Sequence, residues 1–207
     1  MINPKDFWNK NAPGYAKRPV RNEADYRKKL AMTQAYFQPD WEVLEFACGT
    51  GTTAIHHSSL VKHIVATDLS DGMLEIARKK ADDTGVQNIS FQQGTLETLP
   101  LKPESFNAVL GLNILHLLED IEGTSEKVYS LLKPGGIFVS STALVGNLNV
   151  FFHVFISVLQ WIGKAPYVNR FSKPELVSAL TNAGFTIEQE WQPGKDSVFI
   201  VARKSAT

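Results

Sequence analysis

Two carboxylates and two glycines mark where this chain could hold a ligand. In the stretch VLEFACGTGTTAIHH, residues 43–57, Glu45 interrupts an apolar run, Cys48 follows, and Gly49 and Gly51 form a bend before the apolar character resumes. Glycines at such a bend permit positive backbone dihedrals and close ligand approach, and a helix beginning after them offers unpaired amide groups. A Walker phosphate loop would need lysine followed by serine or threonine. Thr52, Thr53 and Ala54 stand there instead, which argues against a nucleoside triphosphate. Asp68 closes the next apolar run, where a carboxylate can accept hydrogen bonds from vicinal ribose hydroxyls. The sequence GTGTTA (49–54) meets the dinucleotide fingerprint only if alanine serves at its last position. Two ligand classes stay open on these residues alone, a dinucleotide and an adenosyl sulfonium.

Both carboxylates must sit at strand ends for this chemistry, and the surrounding pattern supplies the strands. Residues 41–47, 63–70, 89–94, 106–112 and 136–143 read as five strands, separated by helical stretches at 52–60, 71–85 and 121–132 and preceded by one at 23–37. In the helix at 71–85, Met73, Leu74, Ala77 and Ala81 recur at helical spacing and Gly85 supplies a stop. Such alternation predicts an α/β fold, a doubly wound, mostly parallel sheet with helices on both faces. Ligands in such sheets bind at the carboxyl ends of the strands, near a topological switch.

Composition narrows the class further. The 207 residues suit one domain, and 21 basic against 21 acidic residues give no global nucleic-acid surface. A single cysteine excludes an internal disulfide, and the opening MINPKDFWNKNAPG lacks the apolar core of a signal peptide, so a cytoplasmic protein is expected. His56, His57 and His63 have no carboxylate or cysteine at ligand spacing, and no metal is expected.

Five segments in order, VLEFACGTG, VATDLSDGML, FQQGTLETLP, ESFNAVLGLNILHLLED and LLKPGGIFVSS, resemble the class I S-adenosylmethionine-dependent methyltransferases, in particular the small-molecule branch that includes quinone biosynthesis. The resemblance resumes at FSKPELVSALTNAGFTIEQEW (171–191), which looks like the late helix leading into a terminal strand pair, and so implies a seven-stranded, Rossmann-like sheet. It implies S-adenosylmethionine as cofactor, with Glu45 facing the methionine amino group and the backbone of Phe46, Ala47, Cys48, Gly49 and Gly51 wrapping the methionine and ribose. Asp68 would hold the ribose hydroxyls, Leu69 and Met73 would sandwich the adenine, and Gly94, Thr95 and Leu96 would line its edge. Asn113 and His116 would lie near the methyl-transfer end. Two departures stand out: Ala47 occupies a position where the family often has glycine, and Thr95 one where it often has aspartate.

Methyl transfer requires placement more than chemistry from the protein, with a general base only where the acceptor must lose a proton. His116 and Tyr15 are the candidates for that role. Tyr15 belongs to a leader, residues 1–38, whose first 29 residues carry eight lysines and arginines against three acids, interleaved with Phe7, Trp8, Tyr15 and Tyr26. Its segment PGYAKR reads as a mobile flap able to close over the cofactor. The second variable region is an insertion at about 144–170. Along LNVFFHVFISVLQWIG (148–163) and the residue after it, Asn149, His153, Ser157, Gln160 and Lys164 would form one polar stripe on an otherwise apolar helix. That helix must hide against the domain, a second subunit, an apolar substrate or a bilayer surface. The expected function is methylation of a small apolar or amphiphilic acceptor by a monomer or homodimer. A membrane-surface lipid or quinone methyltransferase is the alternative; a nicotinamide-dependent reductase and a non-catalytic adaptor rank lower, and nucleic acid is not expected as a partner.

Overall fold

Alternation within the apolar runs decides how the sheet divides its core. Leu44, Phe46, Val109 and Phe138 fall in one cluster of buried side chains, while Val43, Ile64, Ala108, Leu110 and Val139 fall in another. Neighbouring residues of a strand point to opposite faces, so this division is that of a sheet covered on both sides. The computed structural model describes residues 3–147, 157–161 and 165–206.

Seven strands, β1 (Glu42–Phe46), β2 (His63–Asp68), β3 (Ile89–Gln93), β4 (Phe106–Leu112), β5 (Leu132–Ala143), β6 (Thr186–Gly194) and β7 (Ser197–Arg203), lie in the order β3-β2-β1-β4-β5-β7-β6. The first five run parallel, and β7 inserts antiparallel between β5 and β6. The helices are α1 (Pro4–Ala16), α2 (Glu23–Gln34), α3 (Thr52–Ser58), α4 (Asp71–Asp83), α5 (Ile121–Leu131) and α6 (Lys173–Asn182). In α4, Ser70 caps the first turn by accepting from Met73 N, and Met73, Leu74, Ala77 and Ala81 are the buried face, as the spacing predicts. Gly85 takes a φ of +70° just past the helix, where a left-handed residue ends it.

Two features depart from the sequence expectations, and a third is only partly described. The segment read as a mobile flap is helix α1. Asn3 caps it by accepting from Lys5 N and Pro4 occupies its first turn, while Pro13 lies within it. Strand β5 begins at Leu132 rather than 136, and KPGG forms an irregularity where the register against β4 shifts between Phe106 and Ala108. A Cβ on Gly136 would lie 2.9 Å from the carbonyl oxygens of Asn107 and Lys133, so the chain can pass there only without a side chain. Most of the apolar insertion helix, with Asn149, His153 and Lys164, lies outside the described residues. Residues 157–161 are helical, and there Gln160 donates to Pro166 O and Trp161 is 87% exposed. No helix among the described residues is long and apolar enough to cross a membrane.

Candidate functional site

From β1 the chain moves outward to β2 and β3, then returns to lay β4 on the other side of β1, so the ends of β1 and β4 part at a topological switch. Ala47 leaves β1 with a φ of +51°, Gly49 and Gly51 follow at +55° and +72°, and Cys48 N donates to Thr67 O at 2.9 Å. An alanine in the left-handed region costs about 1–2 kcal/mol that glycine would not. Asp68 fastens this bend to β2: its Oδ2 accepts from Gly49 N and its Oδ1 from Ser70 N, each at 2.8 Å. Burial raises the Asp68 pKa, and the Ser70 and Gly49 amides oppose that rise. A carboxylate has about four acceptor directions, so capacity remains for ribose hydroxyls.

A cavity of about 260 Å³ opens at the switch. Phe46, Ala47 and Gly49 line it from the end of β1, and Asp68, Leu69 and Met73 from the end of β2 and the start of α4. Gly94, Thr95 and Leu96 contribute from the turn after β3, Asn113 from the end of β4 and Tyr15 from α1. Gly94 has a φ of +153° and no room for a Cβ, which would meet Leu99 Cγ at 2.6 Å. Thr95 presents less than expected, because its hydroxyl accepts from the amides of Glu97 and Thr98. Burial and the Asp68 charge raise the Tyr15 pKa, so its phenol stays protonated beside the carboxylate.

Four predicted residues do not line this cavity. Cys48 is buried, and its thiol points to Gly49 O. Gly51 is required by protein packing: a Cβ there would lie 2.8 Å from Ala77 Cβ and 3.2 Å from Phe91 Cε1. Glu45 is 3% exposed, its Oε2 has no hydrogen-bond partner, and burial pushes its pKa up to about 8. His116, on the single 3-10 turn after β4, faces Thr142, whose Oγ1 lies 3.1 Å from His116 Nδ1 and also accepts from His116 N. Burial lowers its pKa to about 4 and keeps the ring neutral.

Sequence reasoning missed the residues that hold α1 in place. Asn9 Oδ1 accepts from Ser70 Oγ at 2.7 Å and from Gly72 N at 3.1 Å, and Lys5 pairs with Asp71 at 3.1 Å. Through these contacts α1 brings Pro4 and Trp8 to the cavity beside Tyr15, with the Trp8 and Tyr15 rings edge to face at 6.0 Å. The Asn3-Pro4 pair carries a helix-start signal that could have revealed α1. Glu97 also lines the cavity, two residues beyond Thr95. A second, larger cavity of about 1120 Å³ lies on the other side of Leu112 and Asn113, which line both. Tyr26 and Lys29 of α2 and Ser141 of β5 belong to this second cavity.

Comparison with known proteins bears on this geometry. Residues 43–136 match the methyltransferase domain family. The chain is 32% identical to the uncharacterized methyltransferase YcgJ of Bacillus subtilis over 139 residues, 67% of this chain and 54% of that protein. Residues 43–136 therefore carry a methyltransferase domain, on the fold of the class I S-adenosylmethionine-dependent methyltransferases. It is also 25% identical over 171 residues to the demethylmenaquinone methyltransferase of Symbiobacterium thermophilum, covering 76% of this chain and 68% of that one. The alignments thus span about half to two thirds of these relatives' lengths. The crystal structure of YcgJ superposes with a TM-score of 0.73 at 20% identity, covering 86% of this chain and 99% of that one, which shows a shared fold. The residues present fit the family's cofactor. Glu45, though it lines neither cavity, keeps a buried carboxyl oxygen without a partner that an ammonium group would satisfy, and Asp68 keeps acceptor capacity beyond the amides it holds.

Proposed function

We propose that this protein transfers a methyl group from S-adenosylmethionine to a small amphiphilic acceptor, with the chain working as one domain flanked by the leader 1–38 and the insertion at about 144–170. The observation that carries this reading is the pair of cavities meeting at Leu112 and Asn113 at the topological switch. Such a wall suits a reaction that must bring two ligands together end to end. When bound, S-adenosylmethionine supplies an electrophilic methyl group on a sulfonium. Asp68 would hold the ribose, Leu69, Met73 and Leu96 the adenine, and Glu45 the amino group. With the Thr95 hydroxyl engaged by its own turn, Glu97 is the nearby carboxylate for the adenine amino group. Helix α1, with Trp8 and Tyr15, excludes water from the cofactor side.

His116 acts in this reading as a positioning residue, fixing the turn after β4 through Thr142. Tyr15 brings a phenol to the smaller cavity and Tyr26 one to the larger, where Thr53 Oγ1 lies 3.3 Å from it. The similarity to a demethylmenaquinone methyltransferase makes a quinol-like acceptor one member of the class to test.

Calorimetry with S-adenosylhomocysteine and with NAD tests the cofactor. Affinity in the micromolar range, about 8 kcal/mol, is expected for the adenosyl compound. Tight NAD binding without an adenosyl signal would overturn the reading. Mass spectrometry of a bacterial metabolite and lipid extract incubated with enzyme and labelled cofactor then identifies the acceptor by its added methyl group.

A further inference from the structure

Several lysines of this chain find carboxylates, while Lys80 donates to the hydroxyls of Thr50 and Thr52 and Lys133 to Asn107 Oδ1 near the surface. Lys62 pairs with Glu42, Lys173 with Glu190 and Lys204 with Glu104. Lys29 differs, because its side chain runs from α2 into the larger cavity and its ammonium donates to Ser141 Oγ at 2.7 Å. Ser141 is 1% exposed, so the charge has been brought against the buried end of β5. Among the described residues that hydroxyl is its one side-chain hydrogen-bond partner, and no carboxylate lies within ion-pair distance. An ammonium has three donors, and this leaves two of them for a ligand.

The position is specific. Ser141 pairs across the sheet with Leu112, and its carbonyl accepts from Asn113 N at 2.6 Å. Leu112 and Asn113 are the wall common to both cavities, so the Lys29 ammonium stands beside the place where the acceptor must meet the cofactor. Burial lowers the Lys29 pKa, and Asp25, one turn earlier on α2, opposes that shift. The Asp25 Oδ2 accepts from Asn22 Nδ2 at 2.6 Å instead of pairing with the lysine. Glu23, Asp25 and Asp196 line the cavity together with Arg21, so its walls carry no net positive field. Anion recognition there has to come from direct contact with one ammonium. Leu30, Leu144 and Val145 supply apolar lining.

We infer that the acceptor carries an acidic group, a carboxylate or a phosphate, which sits against the Lys29 ammonium beside Ser141 while its apolar part lies on Leu30, Leu144 and Val145. A half-buried cation with a neutral partner is costly to keep, and an anionic ligand offsets that cost. The inference rests on the methyltransferase reading for the words "acceptor" and "cofactor"; the anion site itself stands on Lys29 alone.

The test uses three probes of one chain length, octanoate, octyl phosphate and octanol, titrated by calorimetry into the wild type, Lys29→Gln and Lys29→Arg. S-adenosylhomocysteine affinity is measured first. Its absence in the wild type removes the methyltransferase reading, and the probes then go into the free protein, where the dependence on Lys29 still decides the site. With the adenosyl compound bound, at least one acid should bind the wild type more tightly than octanol. Lys29→Gln should weaken that acid about tenfold or more, Lys29→Arg about threefold or less, and octanol should be indifferent to both. Preference for octanoate assigns a carboxylate, and preference for octyl phosphate assigns a phosphate. S-adenosylhomocysteine affinity should be equal in all three proteins, and Lys29→Gln should melt at or above the wild type. Failure of both acids to bind, an acid affinity that survives Lys29→Gln, or octanol binding as well as the acids would overturn the inference.

Discussion

Replacing Glu45 with glutamine tests whether the buried carboxyl is a cofactor group, because the structure makes its proton countable. Burial raises its pKa from 4.5 to about 8 and leaves Oε2 without a partner. At pH 6.5 such a group keeps about 0.97 of a proton in the free protein, against about 0.01 once an ammonium partner returns it to its ordinary value. The amino group of S-adenosylhomocysteine, part of an amino-acid zwitterion, is already protonated at that pH. Binding should therefore release about 0.9 proton per site, read by calorimetry in buffers of different ionisation enthalpy. Glu45→Gln should bind more weakly and release none. The same residue shapes stability. A carboxyl whose folded pKa is raised stabilises the fold below pH 4.5 and loses that contribution as pH rises to about 8. Between pH 5 and 8.5 the wild type should lose up to about 4 kcal/mol relative to Glu45→Gln, measured by urea denaturation across pH. Proton uptake, or buffer-independent heats in the wild type, would refute the assignment of Glu45 to the amino group.

Asp68→Ala should raise the S-adenosylhomocysteine Kd about thirtyfold and also lower the melting temperature, because the amides of Gly49 and Ser70 lose their acceptor; Asp68→Asn should lose less on both counts. Gly51→Ala should destabilise by about 2 kcal/mol or more in urea titrations, since a Cβ would lie 2.8 Å from Ala77 Cβ at a positive φ. Ala47→Gly should stabilise by about 1 kcal/mol in the same assay, as the left-handed strain is relieved. Asn9→Ala should speed proteolysis within residues 4–16 and weaken adenosyl binding several-fold, while global stability changes by less than about 1 kcal/mol.

Strands were legible from sequence wherever an apolar run ended at a polar or glycine signal, as Asp68 ends β2 and Gly49 follows β1. The switch-point cavity was legible for the same reason, since strand order places those ends together. Helix α1 was not, because Pro13-Gly14 reads as a breaker, and the helix leans on α4 through Asn9 and Lys5, contacts spanning more than 60 residues. Thr95 was read as a ligand group because its turn partners Glu97 and Thr98 could not be placed from composition. Its position after β4 makes His116 a candidate base in sequence, and only packing reveals Thr142 beside it. Gly51 was assigned to ligand approach, yet the space it spares belongs to Ala77 and Phe91, which lie far along the chain.

The anchoring of α1 has a kinetic consequence. Ala12 is the one α1 residue that is buried, so this wall of the cofactor cavity is held by Asn9 and the Lys5 pair rather than by a large apolar face. An element held this way detaches at a fraction of the cost of opening the sheet. Exchange of spent cofactor can then proceed by release of α1 while β1, β2 and β4 stay intact. The segment joining α1 to α2, residues 17–22, carries Val20 and Arg21, which line the acceptor cavity. An occupied larger cavity would restrain the same connector on which release of α1 depends, so the proposed methyl transfer is expected to run in order, with cofactor entering before acceptor and leaving after product.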